Sequence, residues 1–311
     1  MIAIYTLTAW GFWSHQRINR MAVFALPPEM FGFYKYHIDY LTTHAVDPDK
    51  RRYAVEGEAA CHFIDLDRYG KNPFDSIPQY WNDAVAKYTE DTLMAHGIVP
   101  WHIEKMMFRL TNAFKQKDFE KILKYSGDIG HYIGDAHVPL HCTQNYNGQL
   151  TNQHGIHGFW ESRVPELIGE EYDFITGRCR YIKNPLKEAW RIVKDSYNAH
   201  DSVLDFEREL SSKFPADRKY SYIQKGNVMM KVHSEEYAKA YDKMLNSMAE
   251  RRMRESIILV ASFWYTAWIN SGQPDLGELS GKDFSEATIE QMKKEEIDWN
   301  NGTLKVKGHD E

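Results

Sequence analysis

The segment His131-Tyr-Ile-Gly-Asp135-Ala-His-Val-Pro-Leu-His141 carries the densest chemistry in the sequence. Side chains four residues apart share one face of a helix, so His131 and Asp135 can grip a single cation together. Pro139 turns the chain, which lets His141 face back into the same cavity from another direction. Sixteen residues further on, His157-Gly-Phe-Trp-Glu161 repeats the His/carboxylate pair at the same spacing. Imidazole nitrogen and carboxylate oxygen are the usual donors to catalytic zinc, and they leave coordination positions for water or substrate. One His-x-x-x-Asp on a helix is more often a surface pair or a satisfied core histidine. Two such pairs in one short stretch, joined by a third His, point to metal. No competing nucleophile is set up: there is no Gly-x-Ser-x-Gly, and Cys142 follows a His without a partner base.

Helices must position these groups, because helical periodicity dominates the chain. Pro27-Pro28 sets up a helix through Phe31, Tyr34, Ile38 and Leu41, and residues 79–95 carry Tyr80, Ala84, Tyr88 and Leu93 before Gly97. Residues 101–116 repeat the pattern, Asp118 opens a helix running to Ile133, and Asn184-Pro185 starts another. Ser234 is expected to cap one long helix continuing toward Trp268, whose stripe of Ile257, Ile258, Ala261, Trp264, Tyr265 and Trp268 reads as core. Strand alternation is nearly absent apart from a small hairpin expected over Tyr220–Val232. The expected fold class is therefore all-α: one compact multi-helix domain over residues 10–275, followed by a charged, loosely held tail over 276–311 with a weak helix near Ser285–Ile297.

At 311 residues the chain is long enough to bury a substantial core. A formal net charge of −6 argues against a general electrostatic grip on duplex nucleic acid or an anionic membrane. It leaves a nuclease possible, since bound cations supply positive charge where a phosphate sits. No run is long enough to span a membrane, so stable insertion is not expected. Cys61, Cys142 and Cys179 form neither a disulfide framework nor a thiolate zinc site, and buried free thiols are expected. Met1–Ala9 is short, apolar and uncharged and reads as the remnant of a secretory signal ending at Ala9, which implies a secreted or periplasmic protein.

Trp10-Gly-Phe-Trp-Ser-His15, Asp47–Asp65 and His131–Glu161 together resemble the superfamily of bacterial zinc-dependent phospholipases C and the single-strand-specific zinc nucleases of fungi and plants. The resemblance runs in order over roughly residues 10–270. It implies an all-helical fold with three zinc ions and a mature chain starting at Trp10, whose α-amino nitrogen and carbonyl oxygen bind metal. It implies that Asp47, His62, His131 and Asp135 hold one zinc, and that Trp10, His15 and Asp135 hold a second, with Asp135 bridging. His141, His157 and Glu161 would hold the third. Asp49 is the alternative to Asp47; Asp47 is favoured because a basic residue three positions on fits the pattern, and Lys50 is there. By the same resemblance Lys50 would steady a substrate phosphate, and Phe63 and Asp65 would line the substrate pocket. His37, His44, His102, His137, His154 and His233 are expected to be structural or exposed.

The activity implied is hydrolysis of phosphate diesters by a hydroxide bridging two zinc ions, with Asp135 holding the pair and Asp47 orienting the attacking water. Glu161 as the last ligand and the short gap from His141 to His157 lean toward a phospholipase C-like enzyme. The compact Trp10–His15 spacing belongs to the nucleases, so single-stranded DNA or RNA is the alternative to phospholipid. A non-catalytic secreted protein that uses zinc only to staple its helices is the other class of reading. It is disfavoured because structural sites are closed and often Cys-rich. No obligate protein partner is evident.

Overall fold

The computed structural model describes residues 11–225, 228–302 and 309. Helices dominate: α1 (Phe12–Ala22), the short α2 (Asp47–Arg51), α3 (Val99–Lys115), α4 (Phe119–Ala136), α5 (Pro185–Lys213), α6 (Met248–Asn270) and α7 (Glu286–Asn300) organise the site and its surroundings. Among the described residues the strands are β1 (Tyr220–Lys225) and β2 (Val228–His233), an antiparallel hairpin in which Ile223 faces Met230. Trp10, with Met1–Ala9, lies outside the described residues.

Helix α4 runs through the middle of the molecule. Asp118 caps it, its carboxylate accepting from the Lys121 amide at 3.1 Å, and from Ser126 to Ala136 every residue is buried. Such a helix must accept neighbours on all sides, and its glycines allow this. A Cβ on Gly130 would sit 2.0 Å from Asn19 Oδ1, and one on Gly134 would sit 3.0 Å from the His15 ring. The absence of side chains at these two positions is therefore what lets α1 lie close enough to bring His15 to Asp135. Asn19 is tied to α4 by its amide, which donates to the Gly127 carbonyl at 3.1 Å.

The other side of α4 is closed by α6. Trp264, fully buried, donates Nε1–H to the Ser126 carbonyl at 3.0 Å and stacks on Tyr34 at 4.8 Å, whose hydroxyl meets Ser126 Oγ at 2.8 Å. The aromatic stripe of α6 is core, as its periodicity implies.

Three expected helices are each broken in two. The helix through Phe31 and Leu41 divides at His37, with φ −99° and ψ 19°. The one over 79–95 divides at Thr89, whose φ of 66° leaves the helical region while its hydroxyl caps the next segment at Thr92. The long helix from Ser234 stops at Met244, because Asn246 and Ser247 take φ of 53° and 50° before α6 begins. Ser234 does cap its helix, accepting from the Tyr237 amide at 3.1 Å. All three cysteines are free; Cys61 and Cys142 are buried, whereas Cys179 is only half-buried. No helix among the described residues is long and apolar enough to cross a membrane.

The helix expected near Ser285–Ile297 is present as α7. Helix α7 has no buried residue but is pinned to α4. Lys124 Nζ lies 3.3 Å from Glu295, and Glu120 accepts from the Ser285 amide at 2.6 Å and from the Thr288 hydroxyl at 2.5 Å.

Replacing Gly130 by Ala drives a methyl into the Asn19 amide and is expected to destabilise the chain by ~1–3 kcal/mol, the usual cost of overpacking. Gly177→Ala, at a position with open space around it, serves as the control. Thermal denaturation of the two variants checks this; equal midpoints would remove the close approach of α1 and α4 from its role.

Candidate metal centre

Six segments deliver the donors. His15 comes from α1, Asp49 from α2, His62 from the turn after Ala59–Cys61, His131 and Asp135 from α4, and His141 from the turn Pro139–Cys142. His157 and Glu161 come from a short helix that widens into a π-turn over Phe159–Arg163. Such π-turns are frequent at functional sites. Here the wider turn keeps the pair on one face, with His157 Nε2 3.0 Å from Glu161 Oε2.

Asp135 is the meeting point. Its Oδ2 lies 2.9 Å from His62 Nδ1 and 3.1 Å from His131 Nε2, while His15 Nε2 approaches Oδ1 at 3.4 Å. His15 and His131 stack at 3.9 Å. Asp49 Oδ1 stands 3.5 Å from His131 Nε2 and 3.7 Å from His62 Nδ1. Alongside, His141 Nε2 is 3.4 Å from Glu161. Three sets have donor atoms all within 4.8 Å of one another: His15/Asp49/His131, His62/His131/Asp135 and His141/His157/Glu161.

Two backbone carbonyls fix how the imidazoles point. A carbonyl only accepts, so His131 Nδ1–H donates to Ala45 O at 2.9 Å and His141 Nδ1–H donates to His62 O at 2.8 Å. The lone pair of each ring is then on Nε2, directed at the carboxylates, which is the usual outer-shell orientation of metal-binding histidine. His62 presents Nδ1 to the cluster, and its Nε2 lies 3.9 Å from Glu58, which also accepts from the Tyr132 hydroxyl.

The arrangement asks for a cation. Both Asp49 oxygens, Asp135 Oδ1 and His141 Nε2 are sealed from solvent without a hydrogen bond of acceptable geometry. Buried carboxylates in that condition are costly unless charge compensates them. The ionisation pattern agrees. Burial alone would raise Asp135, yet His131, His15 and His62 hold it well below the usual carboxylate range, and Asp49 is lowered by His131 in the same way. Burial alone would lower His131, yet Asp135 and Asp49 raise it well above its ordinary value. His141 is likewise raised against its burial, by Glu161 and Asp135. These buried groups can hold a metal ion.

The structure gathers His15, His62, His131, Asp135, His141, His157 and Glu161, seven of the donors named from sequence. Asp47 is not among them; its place in the donor sets is taken by Asp49, the alternative. On α2 the two carboxylates are two residues apart and so point to opposite sides. Asp49 is 2 % exposed and faces the cluster, whereas Asp47 turns outward to His44 Nδ1 at 2.6 Å and Lys50 Nζ at 3.4 Å. Lys50 goes with it, lying on the groove under α7 with Nζ 5.6 Å from the Trp299 ring. Counted from Asp49, the basic residue three positions on is Arg52, which is buried. Burial lowers the His157 imidazole, and His141 and the nearby charge of Arg52 add to it.

Phe63 and Asp65 are buried beside the third donor group, and Tyr146 joins them. Asp65 is pushed up to about 6 by burial. Reading the sequence named Asp49 only as the alternative and did not mark Arg52, Tyr146 or His309; the last fills the space between Phe63 and Tyr146. His102 and His137 are buried outside the donor sets, each lowered to about 3 by burial. No family model matches the chain, and no curated protein matches it.

Two results are expected. Asp49→Asn should lose about one metal ion per chain, because an amide is a far weaker ligand, whereas Asp47→Asn should keep all of them; elemental analysis of the purified variants checks this. Because His131 and His141 have raised proton affinity, metal must displace their protons. Uptake should release protons at neutral pH, and affinity should fall as pH drops. Calorimetric zinc titration in buffers of different ionisation enthalpy measures the release, and none at all would contradict the assignment.

Proposed function

We propose that this chain is a zinc-dependent phosphodiesterase of the phospholipase C and single-strand nuclease type, binding three zinc ions. The observation that carries the reading is the convergence of sealed His and carboxylate donors on Asp135, with a further His/His/Glu set alongside. His15, Asp49, His62, His131 and Asp135 would hold two ions, and His141, His157 and Glu161 the third. The number of hard donors shared between groups leaves positions open, which favours chemistry over stapling. Bound zinc supplies Lewis acidity toward phosphoryl oxygens and lowers the pKa of water to near neutrality.

The chain's own residues then have distinct tasks. Asp135 holds His15, His62 and His131 in one constellation. Asp49, kept ionised and free of hydrogen bonds, is placed to orient a water, the role expected of Asp47. Arg52 offers a buried guanidinium to a phosphate oxygen, replacing Lys50 in that part. Phe63 and Tyr146 form the two walls of a slot, and Asp65 at its edge can accept an N–H.

The slot favours the nucleic acid alternative over the phospholipid one. Its walls enclose a planar ring at 4.0 Å and 4.2 Å from the two aromatic centroids, at 21° and 10° to their planes. This is stacking geometry suited to a base, and aromatic faces accept every base. A tetrahedral quaternary ammonium is thicker than a flat ring and fits such a spacing less well. Glu161 remains the feature on the phospholipase side.

Zinc-loaded protein should cut single-stranded DNA faster than it cleaves micellar phosphatidylcholine, and chelation should abolish both activities. Phe63→Ala should weaken the DNA reaction roughly 10-fold in kcat/KM, in line with ~1–3 kcal/mol per stacked base. Parallel assays measure this. The reverse ranking would return the chain to the phospholipase branch, and full turnover after chelation would end the zinc reading.

A further inference from the structure

The ring between Phe63 and Tyr146 belongs to the protein itself. His309 is 4 % exposed, and its Nε2 lies 2.7 Å from Asp65 Oδ1. Its carbonyl accepts from Arg52 Nη2 at 2.8 Å. Its ring stands edge-on to His141 at 6.0 Å and to His157 at 6.4 Å. One residue near the C-terminus thus engages both aromatic walls, the carboxylate at the slot's edge and the buried guanidinium, right beside a donor set.

The described chain up to Gly302 also runs to this neighbourhood. Helix α7 is pinned to α4 through Glu295 and Thr288. At its end Gly302 lies against Tyr53, the residue after Arg52; a Cβ there would be 2.7 Å from the Tyr53 carbonyl oxygen. Gly302 therefore lies close to the residue next to Arg52, and a side chain of the same chain has a high effective concentration at the slot.

We propose that His309 is an intramolecular inhibitor of the slot, its ring excluding a base-bearing substrate until it is displaced. The proposal rests on the reading of the slot as the substrate site. A chain in which the slot is open only about one tenth of the time binds substrate ~10-fold more weakly than an open one.

The test uses the full zinc-loaded chain and its His309→Ala variant, with two independent measurements. The first is hydrolysis of thymidine 5′-p-nitrophenyl phosphate. The variant should show KM lowered ~10-fold with kcat unchanged. Equal KM, or a fall in kcat, overturns the proposal, the latter because His309 would then serve the reaction itself. The second needs no turnover and no variant: diethyl pyrocarbonate labelling of His309, read by peptide mass mapping. His309 should be protected in the full chain and become labelled when adenosine 5′-monophosphate is added at saturation. Labelling that is strong from the start, or that AMP leaves unchanged, overturns the proposal. If neither protein hydrolyses the diester while AMP still releases His309, the inhibitor stands and the phosphodiesterase reading falls.

Discussion

A carboxylate with no exposure to water, Asp135, lies at the centre of this molecule with three imidazoles around it. Burying such a charge is tolerable only if opposite charge arrives with good geometry. Much of the architecture serves that requirement. The glycines of α4 bring α1 within reach, the carbonyls of Ala45 and His62 set the tautomers, and Glu58 backs the far side of His62. The hydrophobic shell of α3, α4 and α6 keeps water out and so strengthens every interaction inside.

How much of this was legible in the sequence depends on the range of the information. His131/Asp135 and His157/Glu161 are local pairs, and local spacing reveals them even though Glu161 sits on a π-turn rather than a regular helix. The all-helical character follows equally from periodicity. The choice between Asp47 and Asp49 is different, because both sit on one five-residue helix and spacing cannot say which face is inside. Asp47/Lys50 and Asp49/Arg52 have the same separation, so the rule that selected one pair fits the other as well. Only the packing of α2 against the body of the fold separates them.

The helix breaks were illegible for another reason. Thr89, Asn246 and Ser247 adopt positive φ without a glycine to announce it, so the apolar pattern runs through each interruption undisturbed. His309 was invisible for the opposite reason: its partners Asp65 and Arg52 are more than two hundred residues away in the chain, and nothing local marks it. Trp10, named from the resemblance, lies outside the described residues.

The sealing of the donors has a consequence for kinetics of a different kind. His15, His62, His131, Asp135, His141, His157 and Glu161 are each at most 1 % exposed. With the donors so covered, exchange of a bound ion would be gated by the opening of whichever segment over them loosens first, and by how rarely that happens. Residence time then becomes a property of local unfolding rather than of coordination strength. Two variants with the same equilibrium affinity can differ widely in how long they retain a metal once loaded.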